Sequence, residues 1–97
     1  MSVEEKYKKK IIAVLSALFP SAKIYLFGSR ARETHSKFSD IDIAVDAGKK
    51  LPRVDVGEAR DMLRESNVPY KIDVVDLHGV SEDMKKMILK EGILWKW

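Results

Sequence analysis

Cysteine is absent from the 97 residues, so neither a disulfide framework nor a thiolate metal site can exist. Long apolar runs are missing too. The longest, IIAVLSALF from Ile11 to Phe19, is far too short to cross a bilayer. The opening MSVEEKYKKK carries charges where a secretory leader needs apolar residues, so a cytoplasmic protein without a membrane partner is expected. Glutamine is absent and asparagine occurs once, the balance of a heat-adapted chain, although four methionines run against it. The net charge is only +3, gathered mainly at Lys6, Lys8, Lys9 and Lys10, with a smaller group at Lys49, Lys50 and Arg53. A nucleic-acid partner calls for a stronger bias with interleaved aromatics, so these groups read as solvated helix faces.

What is present is ordinary for a soluble globular chain: 45% hydrophobic and 34% charged residues. The length allows a single domain over 1–97. A chain this short buries about 60–70% of its unfolded surface, so a deep cleft would have to borrow walls from a partner. Repeats and low-complexity segments are absent.

The chain alternates between helical and strand periodicity. Ser2 and Glu5 have the spacing of a capping box, and Val3, Tyr7, Ile11, Val14, Leu15 and Leu18 follow as a helical stripe. Pro20 ends it. KIYLFG from Lys23 reads as a strand, Ser29 begins a short helical turn, and DIDIAV from Asp40 to Val45 reads as a second strand. Pro52 suits the first turn of a helix carrying Val56, Ala59 and Leu63. KIDVVDL from Lys71 is a third strand, Ser81 caps a last helix that Gly92 ends, and ILWKW offers a short closing strand. The expected fold class is α/β (α+β), a small mixed sheet with helices packed on one face.

The aspartates are the unusual feature. By alternation Ile41, Ile43 and Val45 point to one face of the second strand, while Asp40, Asp42 and Ala44 point to the other. In the third strand Asp73 falls opposite Ile72 and Val74. If the two strands are neighbours, Asp40, Asp42 and Asp73 converge on the open face. Three ionised carboxylates so close repel one another, and divalent cations resolve the conflict. Magnesium favours such hard oxygens and leaves positions for phosphate. Asp46 reads as a loop residue and Asp76 as a cap beyond the third strand. His35 and His78 read as surface residues, and Trp95 and Trp97 either as core anchors or as an interface.

Gly28 stands where a strand enters a turn, and a residue without a side chain lets an anion approach backbone N–H groups. Ser29 adds a hydroxyl, and Arg30 or Arg32 offers a guanidinium to phosphate. GSRAR, then SDIDIAV, then KIDVVDL resembles the minimal nucleotidyltransferases of the DNA polymerase beta superfamily. Their signature is G-S, a gap, D-x-D, and a later strand with a third carboxylate. The resemblance runs from Phe27 to Asp76 and implies a nucleotidyltransferase palm. It implies that Gly28 and Ser29 hold nucleotide phosphates and that Asp40 and Asp42 bind two magnesium ions. Asp73 would bind one metal and help activate the attacking hydroxyl. Arg32 stands where many members carry Arg-Gly, but here Glu33 replaces the glycine.

The smallest members of that group resemble antitoxins paired with a helical HEPN-domain ribonuclease, which by this resemblance is silenced by AMP transferred from ATP to a tyrosine. Nothing in 97 residues can also fold into an acceptor-binding domain, so the acceptor must come from a partner or a second copy. Two other functions fit the same residues: neutralising the partner by binding alone, and nucleotide transfer to an RNA end or a small molecule.

Overall fold

The computed structural model describes residues 3–34, 36 and 39–97, so Ser2 of the expected capping box and His35 lie outside the described residues. The elements are α1 (Glu5–Leu18), β1 (Lys23–Phe27), α2 (Ser29–Arg32), β2 (Ile41–Asp46), α3 (Arg53–Arg64), β3 (Ile72–Asp76), α4 (Glu82–Glu91) and β4 (Ile93–Lys96). Each helix and strand expected from periodicity is there, including the closing strand. Ser81 caps α4 as expected, its hydroxyl accepting from the Met84 N–H at 3.2 Å. Pro52 stands at the cap of α3, one residue before its first turn.

The four strands form one sheet in the order β3-β2-β1-β4. β1 runs antiparallel to β2 and to β4, whereas β2 and β3 are parallel. A parallel pair needs a crossover, and α3 supplies it. Ile11 and Leu15 of α1, with Ala59 and Leu63 of α3, meet Ile24, Leu26, Ile41, Ile43, Val45 and Val74 in the main core. The isoleucines of the D-x-D strand therefore point inward, as alternation requires. No helix among the described residues is long and apolar enough to cross a membrane.

In one respect the layering differs from the expected one-sided arrangement. α4 packs against the other face of the sheet, where Phe27, Ala44, Leu77 and Ile88 form a second, smaller core. Its physical cause lies in the residues beyond the aspartates. Ala44 shares a face with Asp42, and Tyr25, Phe27 and Val75 extend that apolar area, which the Met84–Met87–Ile88 side of α4 covers. The aspartate end of the face lies outside that apolar cluster.

Asp46 closes β2 rather than starting a loop. It pairs in register with Lys23, accepts from the Gly48 N–H at 2.9 Å, and holds His78 Nε2 at 2.6 Å. His78 is thus tied to the sheet instead of free on the surface. Asp76 caps the turn as expected, accepting from the His78 N–H, and also accepts from the Leu51 N–H at 2.8 Å. Trp95 packs on the main core beneath Lys8, whereas Trp97 is 83% exposed.

Candidate active site

Register decides which aspartates meet. Asp42 is paired with Phe27 of β1 on one side and with Asp73 of β3 on the other. Asp40 stands one residue before the strand, exposed, beside the same end of the sheet. The carboxyl of Asp42 is held above its ordinary pKa, first by partial burial, then by the charges of Asp73 and Asp40, with Arg32 opposing. So the three carboxylates, read from two separate strands, share one electrostatic neighbourhood. Among the described residues no group of three or more His, Cys, Asp or Glu side chains is placed to hold a metal ion. Asp73 instead faces Arg60 Nε at 3.8 Å, both side chains about half exposed.

Gly28 follows directly on β1 with φ 76° and ψ −156°, a conformation open to glycine alone. A Cβ built there would run into Oδ2 of Asp42. The glycine therefore does two things: it turns the chain into α2, and it lets the Asp42 carboxylate lie directly against the backbone. Ser29 follows, half-buried, and among the described residues its hydroxyl makes no hydrogen bond inside the protein. The Gly-Ser turn and the D-x-D stretch, twelve positions apart in sequence (from Gly28 to Asp40), are adjacent in space through Gly28 and Asp42.

The two arginines of this turn separate. Arg32 is exposed, pairs with Glu91 of α4 at 3.5 Å, and lies close enough to Asp42 to favour its ionised form. Arg30 is only 2% exposed. Its Nε and one terminal nitrogen both donate to the Ser39 carbonyl, at 3.1 and 2.9 Å, and its guanidinium lies 4.5 Å over the Tyr70 ring. Tyr70 in turn stacks edge-on against Tyr7 and donates its hydroxyl to Glu4. Arg30 thus ties the Gly-Ser turn to the residue preceding Asp40 and to the approach of β3. Sequence spacing offered it to phosphate; burial gives it a structural task. Arg30→Lys keeps the charge but loses the planar fork and the stack. It should lower kcat about tenfold while leaving the KM for nucleotide nearly unchanged. A raised KM at unchanged kcat would put Arg30 on the nucleotide.

Glu33 ends α2 in the left-handed region, φ 59° and ψ 30°. This explains the glycine that the resemblance led one to expect there: the chain needs a positive φ, which glycine adopts without strain. Glu33→Gly should raise stability by up to about 1 kcal/mol, a few degrees in Tm, since relieved strain outweighs the added freedom of the unfolded chain. A lower melting temperature would show that the Glu33 side chain is holding something.

A glycine turn laid against one carboxylate, with a second carboxylate before it and a third on the next parallel strand, defines a phosphoryl-transfer palm. The model of the family "Polymerase beta, Nucleotidyltransferase" matches residues 9–95. The probable protein adenylyltransferase MntA of Haemophilus influenzae is 30% identical over 77 residues, covering 79% of this chain and 68% of that protein. Among solved structures, a toxin–antitoxin with AMP-PNP superposes with a TM-score of 0.80 at 34% identity, over 93% of this chain and 72% of that one. A tri-AMPylated HEPN toxin of Shewanella oneidensis in complex with its MNT antitoxin gives 0.76 at 31% identity, over 100% and 72%. The chain belongs to the polymerase beta nucleotidyltransferase family, whose members take a nucleotide as substrate.

Proposed function

We propose that this protein transfers AMP from ATP to a tyrosine hydroxyl of a helical HEPN-type partner and acts as its antitoxin. The observation that carries this is the contact between Gly28 and Asp42, with Asp73 in register on the far side of Asp42. It supports this reading because the Gly-Ser turn and Asp73 stand on opposite flanks of Asp42. The likeness to a protein adenylyltransferase and to an AMPylated toxin complex supports the nucleotide and the acceptor.

The donor chemistry of the carboxylates suits a divalent metal. All donors are hard oxygens, and Asp42 carries a charge that its own surroundings disfavour, which a cation would relieve. Asp40, Asp42 and Asp73 would hold two magnesium ions. Bound there, the metal supplies charge neutralisation for the phosphates and for the oxygens of an in-line displacement.

The residues divide the remaining work. The Gly28 backbone and the Ser29 hydroxyl hold the β and γ phosphates, with Arg32 alongside. Asp73 accepts the phenolic proton as the tyrosine oxygen attacks the α phosphorus. The bond from that phosphorus to the bridging oxygen breaks, and pyrophosphate departs with the electron pair. The test is incubation with labelled ATP, magnesium and the HEPN partner. Label should appear on tyrosine with the wild type and not with Asp42→Asn. Equal labelling by both would sink the mechanism. Inhibition of the partner without ATP, unchanged by Asp40→Asn, would mean neutralisation by binding alone.

A further inference from the structure

β3 is the last strand of the sheet, and two separate cavities that share Arg60 make up a broken trough beside it. One part, about 430 Å³, lies between the start of α3 and the turn after β3; another, about 180 Å³, reaches Asp73. Arg60 lines both and anchors to the strand through a bond from its Nε to the Val74 carbonyl at 3.0 Å. The walls are strongly basic: Lys50, Arg53, Arg60, Arg64 and Lys71. Arg53, Arg60 and Arg64 share one face of α3 by helical spacing.

The acids in the trough do not balance this charge. Asp76 is buried under two backbone hydrogen bonds, and Asp73 faces Arg60. Arg64 has an exposed partner in Asp61 at 3.2 Å. Among the described residues Lys50, Arg53 and Lys71 pair with no carboxylate. Between the cations the surface is aliphatic, formed by Leu51, Val56, Val75 and Val80. This lining is complementary to an anionic occupant that carries apolar side chains.

Its position in the sheet says which reactant this is. Gly28 and Ser29 flank Asp42 from β1, so the nucleotide phosphates lie on that side. Asp73 flanks it from β3, so the acceptor hydroxyl must arrive from the β3 edge, along the trough. We infer that the β3 edge is the acceptor-docking surface and that it takes an acidic protein segment with aliphatic residues around the acceptor tyrosine. Charge complementarity selects the segment and steers its approach. This rests on the transfer reaction proposed above.

The test uses two fluorescent peptides, Glu-Glu-Leu-Tyr-Glu-Val and Lys-Lys-Leu-Tyr-Lys-Val, with the intact protein. Fluorescence anisotropy should show the acidic peptide binding at least about tenfold more tightly. The preference should shrink as salt rises and vanish in an Arg53→Glu/Arg64→Glu variant, whose affinity for a fluorescent ATP analogue stays at the wild-type value. Both arginines are exposed, and Arg60, which bonds to the strand, is left in place. Equal binding of the two peptides, binding of neither, or a preference that survives the double variant would overturn the inference. So would a single-stranded RNA that binds the trough and is labelled from ATP. If the HEPN partner is never labelled, the transfer reaction itself fails; if it is labelled yet the peptides bind alike, only the acidic-segment inference does.

Discussion

Gly28→Ala should abolish most of the transfer activity and destabilise the protein at the same time. Two costs combine at this one position. The backbone at φ 76° and ψ −156° is closed to a residue with a Cβ, which by itself costs about 1–3 kcal/mol. The added methyl would also occupy the place of the Asp42 carboxylate. Either the turn shifts away from β2 or Asp42 rotates, and in both cases the Gly-Ser turn and the carboxylate lose their alignment. A displacement of about 1 Å at such a centre costs on the order of 100-fold in rate. A Tm lower by about 10 °C is expected as well. Thermal melts and labelled-ATP turnover on the same preparation check both. A variant within about threefold of wild-type activity would show that the close contact is not needed.

Asp42→Asn should lose activity by about 10³-fold or more, yet without metal it should be at least as stable as the wild type at neutral pH. The sign follows from the raised pKa of Asp42. Its folded value lies above the ordinary 3.8, so the fold favours the protonated carboxyl, and ionisation works against folding. That contribution is fully present below the unfolded pKa and is lost as pH rises through the folded value. The asparagine side chain of the variant is neutral at every pH. In EDTA the two proteins should therefore match in acid, and the wild type should fall behind as pH rises from the unfolded through the folded pKa, the gap staying constant above it. Because the group is partly solvated, the gap should stay below about 1 kcal/mol.

Asp46 behaves oppositely and cancels from this comparison. Burial raises its pKa, but the Gly48 N–H, His78 and Lys23 together outweigh that, leaving the value lowered. Its stabilisation is present above the unfolded pKa and fades in acid, equally in both proteins. Magnesium should reverse the ranking at pH 7 by stabilising the wild type alone. A melt in EDTA in which Asp42→Asn is clearly the less stable protein would show that the three carboxylates do not strain the apo fold.

The sequence alone determined the periodicities and hence the elements, because alternation and helical spacing are local properties of the chain. DIDIAV reads by alternation as a strand with isoleucines on one face, and Gly28 as the end of the strand before it, with Ser29 opening a helical turn. Alternation also set Asp73 opposite Val74, so the membership of the acid site was legible once the strands were taken as neighbours. What remained open depended on contacts between distant segments. That β2 and β3 are parallel and in register at Asp42 and Asp73 is fixed by the α3 crossover and the shared core, not by either strand. Arg30 and Arg32 look equivalent in GSRAR. Only packing separates them: Tyr70, remote in sequence, and the Ser39 carbonyl nine residues on bury the first, while the second stays in solvent beside Asp42. The side of the sheet taken by α4 and the basic trough along β3 were hidden for the same reason. Arg53, Arg60, Arg64 and Lys71 are scattered among acids along the chain, and only the fold collects the cations on the strand edge where an acceptor would enter.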